Sequence, residues 1–127
     1  MNHQEMLINR ARQAQSMAKA PYSHYQVGAA VLAESGAVYA GCNIESGAYS
    51  TTICAERVAI FTAIANGEQG FTALAVVTRD GGTPCGSCRQ VIHEQCGDIP
   101  IYLSGNGETV ETSTLEMLPN PFTFRDD

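Results

Sequence analysis

The apolar positions of this chain change period as it runs, and the changes mark out its elements. Leu7, Ala11, Ala14 and Ala18 follow the i, i+4, i+7, i+11 spacing of one helix face. Asn2 is the predicted cap, with Glu5 three residues later, and Pro21 is the predicted stop. "YQVGAAVLA" and "AVYAGCNI" read as two strands joined at Glu34-Ser35-Gly36. "CAERVAIFTAIANG" reads as a helix that is apolar almost all round, and therefore buried, closed by Asn66-Gly67. "FTALAVVT" is an unbroken apolar run, the mark of a central strand covered on both faces. Thr83-Pro84 before "CGSCRQVIHEQCG" predicts a capped helix with proline at its first position and Gly97 past its end. "IPIYLS", Gly105-Asn106-Gly107 and "TVET" give two more strands, and Ser113-x-x-Glu116 is the capping box of a short last helix. The predicted order is α-β-β-α-β-α-β-β-α, one mixed sheet with helices packed on it.

Composition narrows the partners. A chain of 127 residues, 44% of them hydrophobic, is the size of one domain, 1–127, with an ordinary core. The net charge is -6, from 13 acidic and 7 basic residues, and Lys19 is the only lysine. Arg10, Arg12, Arg57, Arg79, Arg89 and Arg125 are scattered, so the basic cluster that holds a nucleic-acid backbone is missing. A small-molecule substrate fits better. No apolar run approaches the ~20 residues that span a membrane, and the first residues read as a polar amphipathic helix rather than a secretory signal. Five cysteines, an odd number, then fit a cytoplasmic protein with reduced thiols.

The cysteines carry the candidate chemistry. Cys85 and Cys88 are three apart in the first turns of the third helix, an interval that puts both sulfurs on one face. Cys54 opens the second helix. Both helices follow strands, so they can start at the same end of the sheet and bring three thiols together. Three protein ligands leave one position of a zinc ion open, the arrangement of catalytic sites, whereas structural sites normally use four. Cys42 lies in a strand and Cys96 lies ~12 Å along the helix from Cys88; both read as buried apolar thiols. Glu56 is ~200° round the helix from Cys54. Near a helix end both side chains can still point past the terminus, so Glu56 reads either as an acid on the helix dipole or as a proton carrier beside the open position. Arg57, in so apolar a helix, is a candidate to offset the charge of three thiolates, together with the N–H groups of two helix N-termini.

Cys54-Ala55-Glu56 and Pro84-Cys85-Gly86-Ser87-Cys88 match the three-cysteine form of the zinc-deaminase signature. With "PYSHYQVGAAV", "GCNIESGAY", "ICAERVAI", "PCGSCRQV" and "LPNPF", the chain resembles the small, homotetrameric, zinc-dependent cytidine deaminases over most of its length. The resemblance implies a three-layer α/β/α sandwich with a five-stranded mixed sheet. It implies hydrolytic deamination of cytidine and 2'-deoxycytidine by zinc-activated water, with one Zn2+ per subunit on Cys54, Cys85 and Cys88. Glu56 would take the water's proton, protonate N3 of the ring and pass a proton to the leaving ammonia. Asn43 and Glu45 would hold the 3'-hydroxyl, and the Ala55 N–H the base carbonyl. Tyr25 stands in the family's substrate-binding motif, where phenylalanine is usual. Phe122 would stack on the cytosine of a neighbouring subunit, and Tyr49 would reach a neighbour's site in the same way. The chain departs from the family pattern at Tyr25, at Ser46, in "STTI" before Cys54 and in a short "RDGG" loop before Thr83.

Three other readings compete. A deaminase of a modified cytosine nucleoside, or of a cytosine-containing antibiotic such as blasticidin S, would share the zinc motifs; the "NIE" stretch of Asn43 and Glu45 and the "LPNPF" tail favour the ordinary nucleoside. A structural zinc module would want a fourth protein ligand and no acid beside it. A dithiol oxidoreductase would leave Cys54 and Glu56 unexplained.

Overall fold

The structure, a computed structural model, describes residues 2–124, so Arg125 and the last two residues of the tail lie outside the described residues. The elements follow the predicted order: α1 His3–Gln15, β1 Gly28–Ala33, β2 Val38–Cys42, α2 Ala55–Ala65, β3 Phe71–Val77, α3 Gly86–Cys96, β4 Pro100–Gly105, β5 Glu108–Ser113 and α4 Thr114–Met117. A short 3-10 turn at Tyr49–Thr51 is the one addition.

The strands form a five-stranded mixed sheet in the order β2-β1-β3-β4-β5. Alternate residues of the central strands face two separate cores, as a period of two requires. Ala29, Val31, Leu74 and Val76 pack with Ala59, Ile60 and Ala63 of α2 and Ile92 of α3. Ala30, Leu32, Ala73 and Ala75 pack with Leu7, Ile8 and Ala11 of α1. The sheet is therefore the middle of three layers, and β1 and β3 are buried on both sides. Gly41 lets α2 lie close on β2: a Cβ there would come within 2.6 Å of the Ala59 nitrogen.

Strand direction decides where function sits. β1 runs antiparallel to both β2 and β3, so β2 and β3 share a direction and end at the same edge. Gly28, Cys42 and Val77 stand in one register there. The chain leaving β2 and the chain leaving β3 both emerge at that edge, and α2 and α3 start from it.

Two helix boundaries and one buried face differ from expectation. α1 stops at Gln15, well before Pro21, and its buried face is Leu7, Ile8 and Ala11; Ala14 is half-buried and Ala18 lies beyond the helix. The reason is that residues 17–19 turn away to bond the chain at Asn43: Lys19 N–H donates to the Asn43 carbonyl. α3 begins at Gly86 with Cys85 as its cap, not at Pro84, because the Thr83 hydroxyl accepts from Arg89 instead of capping the helix. α2 is not buried all round: Phe61 and Ile64 are exposed on its outer face.

Candidate active site

Cys54 and Cys85 occupy equivalent places. Each is the N-cap residue of its helix, and neither side chain makes the usual capping hydrogen bond. The first N–H groups of both helices are thus left facing the thiols, where their partial positive charge favours thiolate. Cys88, at the third position of α3, is fully buried. The three Sγ atoms lie within 4.8 Å of one another, and those of Cys54 and Cys85 are 3.7 Å apart. Among the described residues no other cluster of His, Cys, Asp or Glu has this geometry. Three soft thiols at helix ends are a donor set suited to zinc.

The electrostatics of the cluster already favour a charged sulfur. The Cys54 thiol is pulled down to about 5, chiefly by its hydrogen bond with Cys88 and, against the cost of burial, by Arg57 and Cys85. The Cys88 thiol is pushed up by that same bond and by burial. Arg57 Nη2 donates to Cys54 Sγ at 3.3 Å, the contact expected of a charge-compensating cation. Its buried Nε has no partner among the described residues. Cys42 and Cys96 stand outside the cluster, and burial raises both thiols, Cys96 to about 12.

Glu56 is 4% exposed, and burial pushes its carboxyl up to about 7. It lines the same cavity of about 430 Å³ as Cys54, Ala55 and Cys85. The rotation of ~200° between positions 54 and 56 does not separate them, because Cys54 lies outside the helix as its cap. A carboxyl that titrates near 7 can both accept and release protons at neutral pH.

The opposite end of the cavity is built by Asn43-Ile44-Glu45. Ile44 pairs with Ile53 in an antiparallel bridge, which sets the Asn-x-Glu stretch directly beside the residue that precedes Cys54. Asn43 is 8% exposed; its Oδ1 accepts from Val27 N–H at 2.9 Å and its Nδ2 donates to the Tyr25 carbonyl at 2.8 Å. Glu45 Oε1 accepts from the Tyr22 and Ser23 N–H groups, and Oε2 accepts from the Ser23 hydroxyl. These bonds, that of the Ser23 hydroxyl foremost, hold its carboxyl below the usual range. Ala55 is the first residue of α2, and Tyr25 forms part of the cavity wall.

Two expected site residues stand apart from this chain's own cavity. Tyr49 is 80% exposed on the 3-10 turn, at a neighbouring recess of about 270 Å³ that shares Ser23, Glu45 and Thr52 with the main one. Phe122 is 68% exposed, and its carbonyl accepts from Gln90 Nε2 of α3 at 2.8 Å. Sequence reasoning missed Ser23, which clasps Glu45, and Arg89, whose guanidinium donates to the Pro84 and Met117 carbonyls and the Thr83 hydroxyl. The visible signal for Arg89 was its place directly after Cys88.

Comparison with known proteins agrees with the geometry. The chain is 49% identical to a cytidine deaminase of Sporosarcina psychrophila over 126 residues, covering 96% of this chain and 93% of that one. It is less similar, at 29% identity over 78% of each chain, to a blasticidin-S deaminase of Bacillus cereus. Its fold superposes on the crystal structure of cytidine deaminase from Burkholderia pseudomallei with a TM-score of 0.90 at 40% identity, covering 96% of this chain and all of that one. Residues 1–103 match the family described as the cytidine and deoxycytidylate deaminase zinc-binding region, and the chain belongs to that family.

Proposed function

We propose that this chain hydrolyses cytidine and 2'-deoxycytidine to uridine and 2'-deoxyuridine, releasing ammonia. The observation that carries the reading is a cluster of three thiols, two of which, Cys54 and Cys85, line one cavity together with a buried carboxyl. Zinc held by Cys54, Cys85 and Cys88 supplies Lewis acidity that makes a water molecule ionisable near neutral pH. Glu56 would accept the proton that this water gives up and deliver it to N3 of the pyrimidine as the hydroxide adds to C4; it would then take the proton of the new C4 hydroxyl and deliver it to the amine as the C4–N bond breaks. A water is consumed and the amine leaves as ammonia, so Glu56 ends in the state in which it began. The N–H of Ala55, free of an intrahelical acceptor, is placed to donate to the base carbonyl. Asn43 spends one amide N–H and its oxygen inside the fold, which leaves one N–H to donate. Glu45 keeps acceptor capacity on its carboxylate. Together they offer one donor and one acceptor to the 3'-hydroxyl.

The assembly belongs to the same proposal. Tyr49 is exposed at a recess beside the cavity, Phe122 is exposed outside it, and Phe61 and Ile64 leave an apolar face on α2. A homotetramer in which each chain lends Tyr49 and Phe122 to a neighbour's site uses all of these. Five unpaired cysteines fit a reducing cytoplasm, and no helix among the described residues is long and apolar enough to cross a membrane. The reaction class suits pyrimidine salvage.

Ammonia release from cytidine, 2'-deoxycytidine, cytosine, cytidine monophosphate and blasticidin S tests the reading. The two nucleosides should react best. Preferential turnover of blasticidin S would move the assignment to the antibiotic deaminases.

A further inference from the structure

Residues 79–82 join β3 to the Thr83-Pro84-Cys85 stretch, and they do not hang free. Asp80 Oδ1 accepts from the Tyr25 hydroxyl at 2.5 Å, the Gly82 N–H at 3.1 Å and the Thr78 hydroxyl at 3.2 Å. The Thr78 hydroxyl, 5% exposed as a residue, in turn accepts from the Gly82 N–H at 2.9 Å. Arg79 stacks over the Tyr25 ring at 4.8 Å and donates to the His24 carbonyl at 3.0 Å. A Cβ at Gly82 would lie 2.7 Å from the Tyr25 hydroxyl, so a side chain there would displace that hydroxyl. Tyr25 meanwhile receives the Asn43 amide on its carbonyl. One residue therefore ties the sugar end of the cavity to the loop that leads to Cys85.

We propose that Tyr25 is a positioning residue whose hydroxyl latches Asp80, fixing the loop of residues 79–82, whose Gly82 lines the nucleoside cavity. The ring lines the cavity, and the hydroxyl acts outward, on the loop. Chemistry suits a permanent latch: the bond pairs a phenol donor with a carboxylate acceptor, which is stronger than a neutral pair. The same bond raises the Tyr25 phenol, after burial, and lowers the Asp80 carboxyl, so both partners keep the protonation state that the latch needs. A phenylalanine at position 25 would fill the same space and leave Asp80 without its cross-chain donor. Thr78 and Gly82 would still bond Asp80, but neither reaches the 21–25 turn, so the Arg79 contacts to the His24 carbonyl and the ring would be left to hold the loop there.

The functional half of this inference rests on the nucleoside reading above, so the test has one arm that does not. Amide hydrogen exchange at Gly82 in substrate-free, zinc-loaded protein should quicken about three- to tenfold in Tyr25→Phe. In the assay, KM for cytidine should rise by a similar factor, with kcat within twofold and zinc content unchanged. Asp80→Ala should act in the same direction, and Tyr25→Phe should add less than twofold in that background. Asp80→Asn keeps the acceptor oxygen and should recover most of the wild-type KM. Unchanged Gly82 exchange in Tyr25→Phe would overturn the latch whatever the substrate. The same KM effect of Tyr25→Phe with and without Asp80 would overturn the pairing. Altered exchange with no turnover of either nucleoside would leave the latch standing and remove the nucleoside reading instead.

Discussion

The floor and the rim of the cavity are built by different rules. The floor, with the groups directly behind it, consists of Cys54, Cys85, Cys88, Glu56 and Arg57 at the starts of two helices that pack on the sheet, and all but Cys85 are buried or half-buried. Its contacts are all made within one chain: thiol to thiol, and guanidinium to thiol. In the assembly proposed above the rim would be completed by Tyr49 and Phe122, which stand outside this chain's own cavity and are mostly exposed; among the described residues Phe122 is bonded through its backbone carbonyl, by Gln90. Backbone anchoring fixes where the tail runs and leaves the ring free to serve another surface. On the reading proposed above, the difference teaches that one chain holds the thiol cluster and the buried acid, while closing the site over a substrate would fall to side chains that face outward.

The comparison can be broken from the floor first. Cys88→Ala should lose zinc and activity together, and Cys85→Ala should do the same; metal analysis checks both, and full zinc in either variant would remove that cysteine from the ligand set. Glu56→Gln should keep zinc and fold but lose about 10²–10⁴-fold in turnover, the range for a general acid–base group. A Gln variant within tenfold of wild type would end its role as proton carrier.

Smaller effects sharpen the boundary between the two regions. 3'-Deoxycytidine should be a poor substrate, since Asn43 and Glu45 would each keep a polar group unmatched at about 1–3 kcal/mol per missing bond. 2'-Deoxycytidine should be accepted, and comparison of kcat/KM for the three nucleosides checks this. Arg57→Ala should be the mildest. With one cation fewer beside three thiolates, water at the site should ionise less readily, so the activity profile should move to higher pH with zinc retained. An unchanged profile would deny Arg57 its charge-compensating role.

Much of the floor was legible in the sequence, and for a physical reason. Metal ligands are spaced by helix geometry, and the strand runs before Cys54 and Cys85 imply that both helices start at a sheet edge. That β2 and β3 share a direction follows from the register with β1, which the pattern alone does not state. The unbroken apolar run of β3 made its burial on both faces legible, while the three-layer arrangement came with the family resemblance. The apolar composition of α2 was visible too, but not that Phe61 and Ile64 would lie outside: apolarity announces burial without naming what covers it. The Tyr25–Asp80 bond joins residues 55 positions apart. Such a contact has no periodicity to betray it, and a lone Asp before Gly81-Gly82 reads simply as a turn.

The central claim, that each site combines one chain's floor with another chain's rim, is tested most directly by mixing Glu56→Gln chains with Phe122→Ala chains. Each parent is impaired, but in a mixed tetramer an intact Glu56 can meet an intact Phe122 from its neighbour. The account predicts deaminase activity above the sum of the two parents once subunits have exchanged. No gain in activity, with exchange confirmed by native mass spectrometry, would contradict it and place Phe122 in its own chain's site or outside any site.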